Sequence, residues 1–412
     1  MKTSTLRAVD QWIGLPACLL LTLHRWLLGG SAPAGPVRRI LFVKLAEQGS
    51  TVLAEEALRS AIARVGSEHV FFLAFEENRF ILDAMDLIPG DNVLTLDATS
   101  LATVTRSTIS VLRRLRALRI DAAVDLEFFA RSSAIFSYLS GARQRVGLHS
   151  YAGEGPSRGN LLTHRLLYNQ YLHTSQLFLL LVEALDCAAN RFPAFPRVPP
   201  RMRQHGAIQR PAAEDVAAVA RLLRDCTRQA DVPPIILLNA NCGDLLPLRR
   251  WDSGRYVGLA RRLLDARPEV YVAFTGNSNE AAEADRLAAA VSSPRCVSLA
   301  GRTTLRELLA LYSLSQVLVT NDSGPAHFAT LTPIDVVTLF GPETPALFAA
   351  QTPRNHVLWA GIACSPCVSA FNNRLSTCQD NVCMQQLTVD QVFEVTISAY
   401  TSRLTAPSST SS

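Results

Sequence analysis

Residues 317–345, VLVTNDSGPAHFATLTPIDVVTLFGPETP, carry the side chains whose types and spacing could do chemistry. Val317–Thr320 is a short β-branched run, followed by the punctuation Asn321-Asp322-Ser323-Gly324, with Pro325 where a first helical residue would sit. Val336–Phe340 reads as a second buried strand ending at Gly341-Pro342. In an open parallel sheet such loops gather at the carboxyl ends of the strands, where ligands bind, and free N–H groups at a helix start suit a phosphate. Asp322 and His327 add an acceptor and a switchable donor to that edge. The plain alternative is an ordinary α/β junction with a capping Asp.

At these residues the chain resembles the bacterial heptosyltransferases, glycosyltransferases that add ADP-heptose to lipopolysaccharide core. That family carries [ND]-D-[ST]-G-x-x-H and then G-P-[TE]-x-P at a similar distance. Here the two segments are Asn321-Asp322-Ser323-Gly324-Pro325-Ala326-His327 and Gly341-Pro342-Glu343-Thr344-Pro345. Either alone is weak; the pair at this spacing is fairly specific.

A second group follows the first apolar strand. Lys44 is the one lysine inside the folded body, since lysine otherwise occurs only at Lys2. It opens the loop Lys44-Leu45-Ala46-Glu47-Gln48-Gly49-Ser50, in which Gly49 lets backbone approach a ligand. The resemblance implies that this loop reads [KR]-x-x-x-x-G-D and that the Asp is the base for the acceptor hydroxyl. Here that position is Ser50, which is no general base at neutral pH unaided. Glu47 in the same loop, and Glu127 or Asp125 at another strand end, are the carboxylates that could replace it; a solvated loop carboxylate is the alternative for Glu47.

Three further segments complete the candidates. In Asn239–Trp251 the resemblance implies that Arg249 grips the donor's phosphates, as a planar guanidinium can do bidentately. In the loop Gly276–Glu280 it implies that Glu280 holds the nucleoside ribose; a first-turn Glu favoured by the helix dipole is the alternative. Cys364, Cys367, Cys378 and Cys383 could bind a structural zinc tetrahedrally, with disulfides or free thiols as alternatives. No D-x-D signature stands out, so no metal is required for catalysis.

The elements that must position these residues alternate. Strands at Ile40–Val43, Val70–Ala74, Val93–Leu96, Ala122–Asp125 and Arg145–Leu148 are separated by helical stretches, and a second series runs from Ile235–Asn239 to Val336–Phe340. Alternating β and α predicts α/β architecture with parallel sheets. The chain divides as an N-terminal apolar segment 1–36, a first domain 37–189, a Pro-rich linker 190–211, a second domain 212–400 and a disordered tail 401–412. Two Rossmann-like domains facing a central cleft make the GT-B-like architecture that the resemblance implies. Thr304-x-x-Glu307 and Thr388-x-x-Gln391 predict capping boxes.

Apolar residues make up 48% of the 412 and charged residues 18%, which excludes a disordered protein. A net charge of +5, scattered, suits anionic ligands or a membrane surface and argues against nucleic acid. The odd count of nine cysteines argues against a disulfide framework and favours a reducing compartment. Residues 12–28, WIGLPACLLLTLHRWLL, would form a helix of about 25 Å, short of a bilayer core. A peripheral helix on the cytoplasmic face of the inner membrane is the expectation; a spanning segment, a signal peptide or a helix packed on the protein are the alternatives.

The resulting expectation is an inverting glycosyltransferase. The second domain would bind a nucleotide-diphosphate sugar, ADP-heptose by the resemblance, through Arg249, Glu280, Asp322, Ser323, Gly324 and His327. The first domain would hold a lipopolysaccharide, exopolysaccharide or lipid-linked acceptor near Lys44, Gly49, Glu47 and Glu127. A catalytically lapsed binding protein, motivated by Ser50, and a nucleotide-sugar epimerase are the rivals.

Overall fold

A computed structural model describes residues 3–28, 35–149, 157–190, 193–194, 209–243, 246–372 and 374–405. The chain forms two compact units, one of residues 1–203 with 370–374, the other of residues 204–369 with 375–412. Most of the Pro-rich stretch expected at 190–211 lies outside the described residues.

The first unit is built on a six-stranded sheet in the order β3-β2-β1-β4-β5-β6. Its strands are β1 (Ile40–Val43), β2 (Val70–Phe75), β3 (Val93–Leu96), β4 (Ala122–Asp125), β5 (Gln144–His149) and β6 (His164–Leu167). Every pairing is parallel. β1 and β4 are buried along their whole length, as a sheet covered on both faces demands. On one face Leu41, Val43, Phe71 and Leu73 pack with Val111 and Leu115 of the helix Leu101–Leu118. Ser100 starts that helix by accepting from Thr103 N.

The second unit repeats the plan with β7 (Ile235–Asn239), β8 (Tyr271–Phe274), β9 (Cys296–Ser298), β10 (Val317–Asn321), β11 (Asp335–Phe340) and β12 (Asn355–Trp359). Their order is β12-β11-β10-β7-β8-β9, again all parallel. Counted from its own first strand, each sheet has the order 3-2-1-4-5-6, the doubly wound order of dinucleotide-binding folds. Trp251, Tyr256, Phe274 and Tyr400 lie in its core. Both expected capping boxes form: Glu307 N donates to Thr304 Oγ1 and Thr304 N to Glu307 Oε2, and Thr388 and Gln391 exchange the same pair.

Four expectations are adjusted. The strands β6 and β12 were not expected; both are edges, β6 with half its residues only partly buried and β12 with none fully buried, so their sequences lack the continuous apolar run of the inner strands. The helix expected at Ser50–Val65 is two, Gln48–Val52 and Glu55–Val65, split by a turn at Leu53-Ala54. The last helix runs over Val389–Thr405, so 401–405 is helical; Arg403 ties it down by donating to Pro333 O, and 406–412 lies outside the described residues. The N-terminal segment forms two helices, Thr3–Trp12 and Gly14–Leu28, that belong to the first unit and pack on its helix Arg131–Leu139. Among the described residues no helix is long and apolar enough to cross a membrane.

Candidate active site

In each sheet the strand order reverses between the first strand and its neighbour in the other direction, β1 and β4 in one unit, β7 and β10 in the other. In sheets of this order the loops leaving these strands diverge, and ligands bind in the crevice outside their carboxyl ends. The candidate residues fall beside these two switch points.

At the first, β1 delivers Lys44, whose side chain is fully buried. Its Nζ donates to Ala46 O at 2.7 Å and to Glu127 Oε2 at 3.3 Å. Glu127, just past β4, also accepts from Leu45 N at 2.7 Å and Ala46 N at 2.9 Å through Oε1. Both its oxygens are therefore engaged in bracing the β1 loop, which fits a structural carboxylate better than a base. Asp125 is likewise occupied, accepting from Ser133 Oγ at 2.9 Å, Glu127 N at 3.0 Å and Arg158 Nη1 at 2.5 Å.

Glu47 is different. Its backbone is left-handed, with φ 67°, a conformation unusual for a side chain of this type and frequent at functional sites. Its carboxylate receives Arg374 Nη1 at 2.5 Å and Ser50 Oγ at 3.3 Å, with Lys44 Nζ at 3.9 Å. Ser50 thus orients the carboxylate that could stand in for the missing Asp. Gly49, expected to be the permissive residue of the loop, lies inside the helix Gln48–Val52; the left-handed position is Glu47.

Arg374 was not anticipated. It arrives from the segment between Cys367 and Cys378, and its guanidinium lies 5.7 Å from the centre of the Phe128 ring. Phe371 in the same segment stacks on Phe129 at 5.9 Å and meets Tyr168 edge-on at 5.2 Å. The sequence signal was only Phe371-x-x-Arg374 amid cysteines that drew attention to metal.

At the second switch point Asn321, the last residue of β10, accepts from Trp251 N at 3.0 Å and donates to Asn241 O at 3.1 Å. That stitches the β7 loop to β10. Trp251 is fully buried, its Nε1 donating to Leu387 O at 2.8 Å. It anchors the turn Pro247–Arg249 and so fixes Arg249. Arg249 Nη1 lies 3.6 Å from both Asp322 Oδ2 and Glu343 Oε2. These distances hold the guanidinium by charge and exceed a hydrogen bond. Its Nε is buried with no hydrogen-bond partner among the described residues. Glu343, within the motif Gly341-Pro342-Glu343, belongs with the site.

Ser323 precedes the short helix Gly324–Ala329, but its hydroxyl donates back to Asn321 O at 3.1 Å and caps nothing. A Cβ on Gly324 would meet the Phe328 ring at 3.3 Å. His327 is buried in that helix. Glu280 caps its own turn, accepting from Asn277 N at 2.8 Å, so the ordinary role expected of a first-turn Glu is filled. Its carboxylate lies over Gly276, where a Cβ would come within 2.9 Å of Oε2 and 3.0 Å of Asn241 Nδ2. Burial raises the pKa of the neighbouring Cys242 thiol, which marks it as apolar filling.

The four cysteines are free thiols, Cys364 and Cys378 exposed and Cys383 buried. Cys367 N donates to Pro342 O at 3.0 Å, tying their segment to the motif of Glu343. Burial, reinforced by the charges of Cys367, Cys364 and Cys378, raises the Cys383 pKa, so the four lie near one another. As placed they do not close on an ion: no group of three or more His, Cys, Asp or Glu able to hold a metal occurs among the described residues.

The model of glycosyltransferase family 9 (heptosyltransferase) matches residues 108–376. The chain belongs to glycosyltransferase family 9. Lipopolysaccharide heptosyltransferase 2 of Salmonella typhimurium is 32% identical over 102 residues, 24% of this chain and 29% of that protein. The chain therefore aligns with under a third of the length of this curated relative. The structure of Escherichia coli ADP-heptose lipopolysaccharide heptosyltransferase II superposes with a TM-score of 0.66 at 18% identity, covering 89% of this chain and 99% of that one. Escherichia coli heptosyltransferase WaaC with ADP superposes at 0.59 with 16% identity, over 88% of this chain and 99% of that one. At these identities the likeness is one of fold, and the fold of this family 9 chain is GT-B-like, with two Rossmann-like parallel-sheet units.

Proposed function

We propose that this family 9 protein transfers a heptose or related sugar, with inversion, from a nucleotide-diphosphate donor to a lipopolysaccharide or other lipid-linked glycan acceptor. The observation that carries the reading is Arg249. The partly buried Arg249, its Nε–H enclosed and without a hydrogen-bond partner among the described residues, stands at the β7/β10 switch point, where a diphosphate can take hydrogen bonds worth about twice neutral ones. The carboxylates of Asp322 and Glu343 suit sugar hydroxyls, and Glu280 suits the ribose. ADP-heptose is the favoured donor, as the names of the similar proteins suggest.

In the proposed reaction an acceptor hydroxyl oxygen forms the new bond to the anomeric carbon. The bond from that carbon to the diphosphate oxygen breaks, and its electron pair leaves with the nucleoside diphosphate. Glu47 takes the hydroxyl proton, with Ser50 and Lys44 holding its carboxylate. Arg249 offsets the charge of the departing diphosphate. Glu127 braces Lys44 and the loop. The protein would work peripherally at the cytoplasmic face of the inner membrane, where such acceptors are assembled. The four-cysteine segment is proposed as a structural site for zinc or another thiolate-binding ion, and element analysis of purified protein would test it: a metal-free, fully folded protein would dismiss it.

Incubation with ADP-heptose and a truncated lipopolysaccharide acceptor tests the whole reading. Glycosylated acceptor with stoichiometric ADP supports it. An isomerised donor would make the protein an epimerase, and donor binding without turnover a lapsed enzyme.

A further inference from the structure

The N-terminal helix Gly14–Leu28 is docked inside out. Gly14, Cys18, Thr22 and Arg25 recur at helical spacing and share one face, and that face meets the protein. A Cβ on Gly14 would touch Arg131 Cβ at 3.0 Å. Cys18 is fully buried with Ala134 and Leu161. Thr22 Oγ1 accepts from Asn160 N at 2.9 Å, and Arg25 donates to Leu162 O and Asn190 Oδ1, each at 2.9 Å. Asp10, at the end of the preceding helix, accepts from Arg131 N and Ser132 N at 2.9 Å each. The small and polar side of these two helices is thus satisfied by the first unit.

The apolar side faces away. Trp12 is 76% exposed, Leu20 68%, Trp26 81% and Leu27 65%, with Leu19 and Leu23 between them. A helix that served only to cover a core would turn these leucines inward. Contiguous exposed apolar surface of this kind marks a site of interaction. Residues 11–28 contain no carboxylate, and their one Arg or Lys, Arg25, points into the protein. Tryptophans stand toward both ends of the patch, as they do where one side of a helix is wet and the other meets lipid. Burial, and next the neighbouring Arg165, lower the pKa of Arg25, so two cationic side chains lie beside this end of the helix, and with the chain's net charge of +5 they favour an anionic surface.

We infer that the face bearing Trp12, Leu19, Leu20, Leu23, Trp26 and Leu27 is a rigid lipid-docking surface that lies in the headgroup boundary of an anionic bilayer. The helix does not insert: its polar face is pinned to the first unit, and no described helix is long and apolar enough to cross. Side-on burial of the apolar face, with electrostatic attraction to anionic lipid, is the mode open to it. This names the surface for the peripheral association proposed above and rests on that reading.

Flotation of the full chain with phosphatidylethanolamine vesicles, with and without phosphatidylglycerol, tests it, using Leu20→Glu/Trp26→Glu and Trp12→Glu/Leu19→Glu. These side chains are exposed, so the fold is preserved; unchanged far-ultraviolet circular dichroism and nucleotide affinity verify that. Each double variant should lower partition into anionic vesicles about tenfold or more. Protein that never floats overturns both this surface and peripheral association. Protein that floats equally well in wild-type and variant forms overturns the surface while leaving the association standing. If the substitutions abolish a wild-type dimer in light scattering and no vesicle binding is seen, the face joins two copies of the chain and the lipid assignment is wrong.

Discussion

Arg249 is the residue whose loss should be felt most directly in donor binding. Removing its charged hydrogen bond to a phosphate should cost about 1.5–3 kcal/mol in Arg249→Ala, read by calorimetry with ADP. Unchanged affinity would remove Arg249 from the site. The carboxylates past β1 and β4 should separate by the kind of damage they cause. Glu47→Gln keeps shape and removes basicity, so turnover should fall about 10²- to 10⁴-fold with the melting temperature and donor affinity retained. Glu127→Ala should instead destabilise the first unit by about 3 kcal/mol, because it removes the nearer of the two carboxylates beside the buried Lys44 and the acceptor of two backbone N–H groups. Urea titration of the two variants measures the contrast. Arg374→Ala frees the Glu47 carboxylate from its 2.5 Å partner. Turnover should drop about ten- to a hundredfold through misplacement, with calorimetric donor affinity as the constant.

At the level of elements, strand ends carry the ionisation that matters for stability. His149 closes β5, and burial, then Arg165 and Arg158, push its pKa down from the ordinary 6.5 to about 4. Between those values the unfolded chain binds a proton that the folded chain refuses, so stability is full above the unfolded pKa and falls as pH drops through this window. His149→Gln cannot ionise. Urea midpoints measured across this range should show a shallower acid loss in that variant than in the wild type, and parallel curves would deny His149 its part. The other notable element is the segment joining β12 to the last helix. Its cysteines are recorded in the second unit, while residues 370–374 within it complete the first with Phe371 and Arg374. A stretch without periodicity thereby supplies a partner to the candidate base.

On the scale of the whole molecule, one strand order occurs twice, and each copy brings candidate residues to its own switch point. The two N-terminal helices are bound to the first copy through a small apolar cluster and several hydrogen bonds. Deleting residues 1–36 should accordingly lower the melting temperature of the first unit, since Ala134, Leu161 and the start of the helix Arg131–Leu139 lose their cover and cap. Nucleotide affinity, which the proposed function assigns to the second unit, should be retained. Calorimetric scanning with and without ADP reads both, and an unaltered scan would show that the N-terminal helices contribute nothing to folding.

Much of this was written locally. Runs such as Ile40–Val43 and Ile235–Asn239 are apolar throughout because both faces of a parallel strand are covered, so the inner strands and their order of occurrence were legible, as were capping boxes set by residues three apart. The motif of Asp322 was legible for the same reason: its residues are neighbours in sequence and sit on one junction. The edge strands β6 and β12 were not, since an edge needs no continuous apolar run and is defined by what lies beside it. Nor could residue types distinguish Glu127 from Glu47. One carboxylate is engaged by Lys44 and two backbone N–H groups, the other is held by a guanidinium 327 positions away. The outward turn of the leucines of Gly14–Leu28 is of the same kind. Amphipathicity names two faces, and only the packing of Cys18 and Thr22 against the first unit decided which of them the protein keeps.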